Sequence, residues 1–323
     1  MNKISTCLLL CIGFCSNLSG QQAAQYSLFM ANKMNWNPAY AGMDQDLSIT
    51  GIYRTQWQGL EGNPITQNVN VHLPVYAFNS GFGLNLENDQ LGAEKATSFA
   101  LAYNYQLPVG KKSLLALGLS AGIFQYSLDG SKLRTPQGFY SDATVIFHDD
   151  DLLPVSLLSA STPTFGAGVY FYNEKFESGF GVRHLTAPSV SSDNLSIALD
   201  RTFFFNLNGH FDLSRSFTFH PALLLRSNLK QMQTDVAALF KYNDNILGGA
   251  SLRGYNSNSL DAVGIIFGVK LSEQVNVLYA YDITLSGLRQ VSNGSHEIML
   301  NYRIKTNFGQ ARLPKIIYNP RTL

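Results

Sequence analysis

The sequence predicts an all-β chain: a single transmembrane antiparallel up-and-down β-barrel of about 14 strands. Three observations carry this. Apolar and polar residues alternate in segments of roughly ten residues, separated by turn residues. In one such segment Phe99, Leu101, Tyr103 and Tyr105 fall on one face and Ala100, Ala102, Asn104 and Gln106 on the other, because successive strand side chains point to opposite faces. Charged residues make up only 14% and aromatic residues 12%, which suits a lipid-facing surface better than a solvated one. Finally, past the N-terminal leader no apolar run approaches the roughly 18 residues of a membrane helix, so a membrane is crossed by strands or not at all.

Residues 1–20 read as a secretory signal peptide. Lys3 supplies the basic end, residues 4–14 the apolar stretch, and the small residues up to Gly20 the cleavage zone. Cys7, Cys11 and Cys15 all fall inside it. The bulky Phe14 before Cys15 argues against a lipid-attachment site. The remainder of the chain therefore has no disulfide, thiolate ligand or cysteine nucleophile. Residues 21–46 carry Tyr26, Leu28, Phe29, Met30, Met34, Trp36 and Tyr40, too apolar for a solvated tail. They are expected to pack at or inside the periplasmic mouth of the barrel and narrow its lumen.

The barrel itself is expected over 47–306, with strands at 47–57, 66–73, 81–87, 97–106, 114–128, 164–172, 176–185, 202–212, 217–227, 234–242, 246–255, 259–270, 275–284 and 296–306. Short links at 173–175, 213–216, 243–245 and 271–274 alternate with longer ones at 88–96, 129–163, 186–201 and 285–295. Short periplasmic turns and long outer loops are the rule for outer-membrane barrels, which places both termini, including a tail over 307–323, in the periplasm. Tyr105, Phe171, Phe211 and Tyr242 then line up as a periplasmic aromatic girdle. The same phase points Asn206, Asn208, His210 and Asp212 inward, and Glu297, Asn301, Arg303 and Lys305 likewise. The link 129–163 holds Phe139, Tyr140, Ile146, Phe147, Leu157 and Leu158 and is expected to cover the barrel mouth or to bind a partner.

Chemistry-bearing patterns are sparse. The six histidines show no ligand spacing. His148 with Asp149, Asp150 and Asp151 is the dense acidic cluster, read either as a solvated loop tip or as a hard-cation site, though it lacks the glycine and spaced carboxylates of a calcium loop. No G-x-S-x-G elbow occurs, and a net charge of +1 gives no nucleic-acid footprint. The expectation is a protein that is not an enzyme, with no cofactor, no metal and no small-molecule substrate, surrounded by membrane lipid.

Two stretches resemble a known family. Gln25-Tyr26-Ser27, then Asn37-Pro38-Ala39-Tyr40-Ala41-Gly42, then Tyr53-Arg54-Thr55-Gln56-Trp57 and Gly62-Asn63-Pro64 resemble the start of the PorP/SprF family of the type IX secretion system in Bacteroidota. Tyr281-Asp282, Ser286 and Gly294-Ser295-His296-Glu297-Ile298 resemble its closing motif. The resemblance implies an outer-membrane component or accessory of the secretion and gliding machinery, with type IX secretion components and a secreted surface adhesin as partners. The alternative is an outer-membrane porin or substrate-specific channel. The candidate motif or partner-contact residues are Asn37, Pro38, Tyr40, Gly42, Arg54, Gln56, Trp57, His296 and Glu297. Each also has a structural reading. Residues 37–42 form either a compact turn, with Asn-Pro opening it and Gly42 at positive φ, or a contact surface. Arg54 faces the lumen and pairs with Glu297 where the first and last strands meet, and Trp57 anchors the outer rim.

Overall fold

A computed structural model describes residues 24–110, 112–141, 145–150, 153–192, 195–255 and 259–305. The leader, the tail over 307–323 and Asp151 lie outside the described residues. Strands β1 (Leu47–Thr55), β2 (Ile65–Val75), β3 (Ser80–Leu91), β4 (Glu94–Pro108), β5 (Ser113–Asp129), β6 (Leu157–Asn173) and β7 (Phe176–Arg183) run in order along one half of the wall. The other half is β8 (Thr202–Gly209), β9 (Phe217–Ser227), β10 (Met232–Tyr242), β11 (Ile246–Tyr255), β12 (Ser259–Lys270), β13 (Val275–Thr284) and β14 (Ser295–Ile304). Each pairs antiparallel with its neighbour, and β1 pairs with β14 from Leu47↔Ile304 to Thr55↔His296, which closes a 14-stranded barrel. β8 breaks at His210 and resumes at Phe211–Asp212, still paired to β9.

The period-2 pattern sets which residues face lipid. In β10, Val236, Phe240 and Tyr242 are exposed on the outer face while Gln233, Asp235, Ala237 and Leu239 are buried inside. Tyr105, Phe211 and Tyr242 stand exposed on the outer face near the short-turn end, and Phe171 is half-buried there against Phe176, ring centroids 5.5 Å apart.

Several expectations need correction. The supposed long link 88–96 is a tight turn, because β3 runs to Leu91 and β4 starts at Glu94. β5 and β6 likewise extend to Asp129 and Leu157, shortening the great outer link to 130–156. β1 stops at Thr55, so Trp57 lies past the strand, at φ 51°. Asp212, opposite Thr218 on the inward phase, and Lys305, just past β14, are exposed at the short-turn rim. The cap over the mouth comes from 184–201: a hairpin of Ser189–Ser192 with Leu195–Ala198 buries Val190 and Leu199 against Phe124 of β5. In 130–156, by contrast, Phe139 and Phe147 pair across a small hairpin and both face solvent.

The lumen is not purely polar. Ile52, Leu224, Leu239, Ile266, Leu278 and Met299 all point inward and are buried. They do not face water. They form a core with Tyr26, Leu28, Phe29, Met30 and Trp36 of the N-terminal segment. Burying such side chains stabilises each by about 1.5–3 kcal/mol relative to exposure.

Candidate functional site

Residues 24–46 run through the lumen, well beyond the mouth where the sequence put them. Gln25 is bonded by Gln56 Nε2 at 3.0 Å, and the Ala24 carbonyl by Arg226 Nη1 at 2.6 Å. Gln56 follows the end of β1 and Arg226 precedes the end of β9, so the segment starts at the end of the barrel that carries the long links. It finishes beside Tyr76, whose hydroxyl donates to the Gln45 carbonyl at 2.6 Å, at the opposite, short-turn end. The chain therefore enters the described barrel at one end and leaves it, after β14, at the other.

Four groups of contacts hold the segment. The first lies under the seam that closes the barrel. Arg54 Nη1 is 3.0 Å from Glu297 Oε2, the pair expected from the sequence, and Nη2 is 2.8 Å from Asp282 Oδ2. Ser27 completes the cluster: its N–H donates to Glu297 at 2.7 Å, its hydroxyl donates to Asp282, and it accepts from Arg54 at 2.7 Å. The Leu28 N–H donates to the other Glu297 oxygen at 3.1 Å. Arg253 extends the cluster, 3.3 Å from Asp282 and 2.7 Å from Asp235, and donates to the Tyr26 carbonyl at 3.0 Å. Arg54 is 1% exposed and Glu297 fully buried. Removing one partner from such a buried cluster typically costs about 3–5 kcal/mol.

The second group centres on Glu87. It accepts from the Tyr26 hydroxyl at 2.7 Å and from Asn35 at 3.0 Å, and it pairs with Arg183 at 3.3 Å; Arg183 also donates to Asn35. The third is a chain of asparagines: Asn70 donates to Asn32 at 2.8 Å, Asn32 to Asn68, Asn68 to Asn85 at 2.8 Å and Asn85 to Asn35 at 2.9 Å.

The fourth group contains residues 37–42. The one-turn helix α1 (Lys33–Trp36) delivers Lys33 to Glu177 at 2.5 Å. Asn37 then caps the 3₁₀ turn Pro38–Tyr40, accepting from the Ala39 N–H at 2.9 Å, while its amide donates to the carbonyls of Val169 and Phe180 on adjacent strands. Pro38 suits the first position of the turn, where no N–H is needed. The Tyr40 hydroxyl donates to Asp44 at 2.6 Å, and its ring meets Tyr170 edge-on at 5.0 Å. Gly42 sits at φ 69° and donates to His72 Nδ1 at 3.1 Å. Close approach is provided for in the wall: a Cβ at Gly81 would run into the Ala41 carbonyl, and one at Gly118 into the backbone of Ala39.

The remaining sequence candidates lie elsewhere. Trp57 is half-buried, with its N–H on Ser295 Oγ at 3.1 Å. His296 shares the outer face with Tyr279 and Tyr281; its Nδ1 is 2.6 Å from the Tyr279 hydroxyl. His148 is buried within its loop against Tyr140 and the carbonyls of Gly130 and Pro154, turned away from the exposed Asp149 and Asp150. Among the described residues no group of three His, Cys, Asp or Glu is assembled for a metal ion. Sequence reasoning quoted Ser27 in the motif without singling it out, and missed Glu87, Glu177, Arg183, Asp235 and Arg253. The inward phase of charged residues in β10 and β11 was the available signal for the last two.

On the β3–β6 side, in the half nearer the long links, the segment leaves an open cavity lined by Trp36, Glu87, Ala100, Phe124, Arg183 and His184 among others. Many of its inward wall residues are small: Ala96, Ser98, Ala100, Ala102, Ser120 and Gly166. His184, just past β7, is held neutral, since burial and the adjacent Arg183 push its imidazole down to about 4.

A family model described as type IX secretion system membrane protein PorP/SprF matches residues 18–302, most of the chain. No curated protein matches. Among solved structures, the CymD monoaromatic hydrocarbon channel is similar at a TM-score of 0.50 and 11% identity, covering 88% of this chain and 95% of that one. The outer-membrane protein Omp33 of Acinetobacter baumannii is similar at 0.44 and 8% identity, covering 80% of this chain and 98% of its own. The likeness to CymD shows the outer-membrane barrel fold and nothing finer.

Proposed function

The chain belongs to the PorP/SprF family of type IX secretion system membrane proteins, as an outer-membrane β-barrel, and from that premise we propose that it supports export or surface anchoring of a partner adhesin. It does so as a closed, non-enzymatic barrel working beside the secretion machinery. The short-turn end lies in the periplasm and the long links at the cell surface. The observation that supports a docking role over a porin role is the threaded lumen: residues 24–46 are clamped from end to end by buried ion pairs, amide contacts and an apolar core. A general porin needs a water-filled passage instead. Residues 37–42, Arg54 and Glu297 act in this reading by fixing that segment; none is offered to a partner.

Deleting the gene in the parent bacterium tests the reading. One or a few secreted surface proteins should be lost from the cell surface while other outer-membrane proteins assemble normally. Normal display of every type IX cargo would refute it. A simultaneous fall in small-solute uptake would favour the channel reading.

A further inference from the structure

β5 and β6 pair over their full lengths, from Ser113↔Asn173 to Asp129↔Leu157. On its other side β6 pairs with β7 only from Ala167 to Tyr172. One more bond follows, from the Leu185 N–H to the Phe165 carbonyl at 2.9 Å. Beyond it the chain turns at His184 and Ala187, both at positive φ, and moves inward to form the capping hairpin. Among the described residues, β6 from Leu157 to Pro163 thus has no backbone partner on that side.

The Phe165 bond fixes which groups lie on this open edge. In an antiparallel strand, alternate residues direct both N–H and C=O to the same side. Leu157, Ser159 and Ser161 therefore present a donor and an acceptor each, and Pro163 an acceptor alone. All four are exposed.

This edge stands clear of lipid. Lower on the wall the outer face is apolar, with Leu117, Leu119 and Ile123 on β5 exposed. Above them it turns polar in two cross-strand rows, Thr97–Gln125–Ser161 and Lys95–Ser127–Ser159. Bare backbone groups would be untenable in hydrocarbon but are tolerated in water. Proteins usually blunt such an edge with charge, proline or a bulge. Proline guards only its lower end here. At its upper end lie exposed apolar side chains, Val155 at 55% and Leu157 at 65%.

We propose that the open edge of β6, Leu157 to Pro163, receives an extended strand of the exported surface protein, adding it to the barrel sheet outside the membrane. This rests on the docking function above and specifies its contact: main-chain hydrogen bonds at Ser159 and Ser161, with apolar side chains beside Leu157. The partner is recognised as an extended chain.

Two arms test this in the parent bacterium. The double variant Ser159→Pro with Ser161→Pro removes the two edge donors and leaves the bonds to β5 intact. Ser159→Ala with Ser161→Ala removes only the hydroxyls. The proline pair should lower surface-retained cargo by at least about tenfold, as expected for losing two hydrogen bonds and the strand register, with barrel level and heat-modifiability unchanged. The alanine pair should retain it. Amide exchange provides the arm without mutation: with the cargo identified by the deletion strain bound to the purified barrel, the Ser159 and Ser161 amides should exchange at least about tenfold more slowly than in the free barrel. Loss of display in the deletion strain, combined with normal display in the proline pair or unprotected Ser159 and Ser161 amides, overturns the edge while the docking function stands. Normal display in the deletion strain overturns both.

Discussion

The two sides of the lumen treat the same threaded segment in opposite ways. On the side of β9–β14 and β1, the inward positions carry Leu224, Leu239, Ile266, Leu278, Met299 and Ile52, and Leu28, Phe29 and Met30 fill the space between them. On the side of β3–β6, many inward positions nearer the long links are alanine, serine or glycine, beside Glu87 and Phe124, and an open cavity remains. Further down that same side, glycines let residues 39–41 press against the wall. Side-chain volume at the inward phase thus decides where the barrel is solid and where it is hollow. The packed side anchors the segment, whereas the hollow side holds it through polar contacts around Glu87 and Asn85.

The largest expected effect lies on the packed side. Arg54→Ala leaves Asp282 and Glu297 buried with reduced compensation and should lower stability by about 3–5 kcal/mol, read as thermal unfolding of the detergent-solubilised barrel. Asn35→Ala on the hollow side should cost only about 1–3 kcal/mol. Equal losses would erase the contrast between clamp and brace.

Packing sharpens the comparison next. Leu28→Ala opens a void in a closed core and should cost about 2–5 kcal/mol. Ala100→Leu adds volume beside existing space and should change stability by less than about 1.5 kcal/mol, whereas ordinary core overpacking costs about 1–3. Gly118→Val serves as the control on the same wall, because Ala39 occupies the space a side chain needs. If Ala100→Leu proves as damaging as Gly118→Val, the cavity is not available space.

Much of the wall was legible because alternation and turn chemistry are local. Each of the fourteen expected strands overlaps an observed one, and Arg54 meets Glu297 because closure pairs the first strand with the last. The apolar half of the lumen was harder to see. In Leu223-Leu224-Leu225 and Ile265-Ile266-Phe267 both faces are apolar, so the pattern cannot tell a lipid-facing residue from one facing a plug. The path of residues 24–46 was not legible either. Its conformation has almost no repeating element, and distant side chains such as Asn104, Glu177 and Asp282 hold it. Strand ends beyond the bilayer, as in β5 and β6, were underestimated because polar outer residues there resemble loop sequence.

Threading direction gives a smaller but discriminating effect, one of access rather than energy. With the cysteines confined to the leader region, Gln25→Cys is a single reporter in the barrel. A membrane-impermeant maleimide added to intact cells should label it through the long-link mouth, and should leave Gln45→Cys at the short-turn end unlabelled. The reverse pattern would mean that the barrel is inverted or the segment enters from the other end.

The central claim, that residues 24–46 close the lumen from end to end, is tested most directly by the conductance of the intact purified protein in a planar bilayer. The account predicts a membrane that stays silent at moderate voltage, with no steady porin-sized steps, because the threaded segment fills the lumen between the apolar core on one side and the Glu87–Arg183–Asn35 brace on the other. Stable, voltage-independent open-pore steps from the unmodified barrel would contradict it.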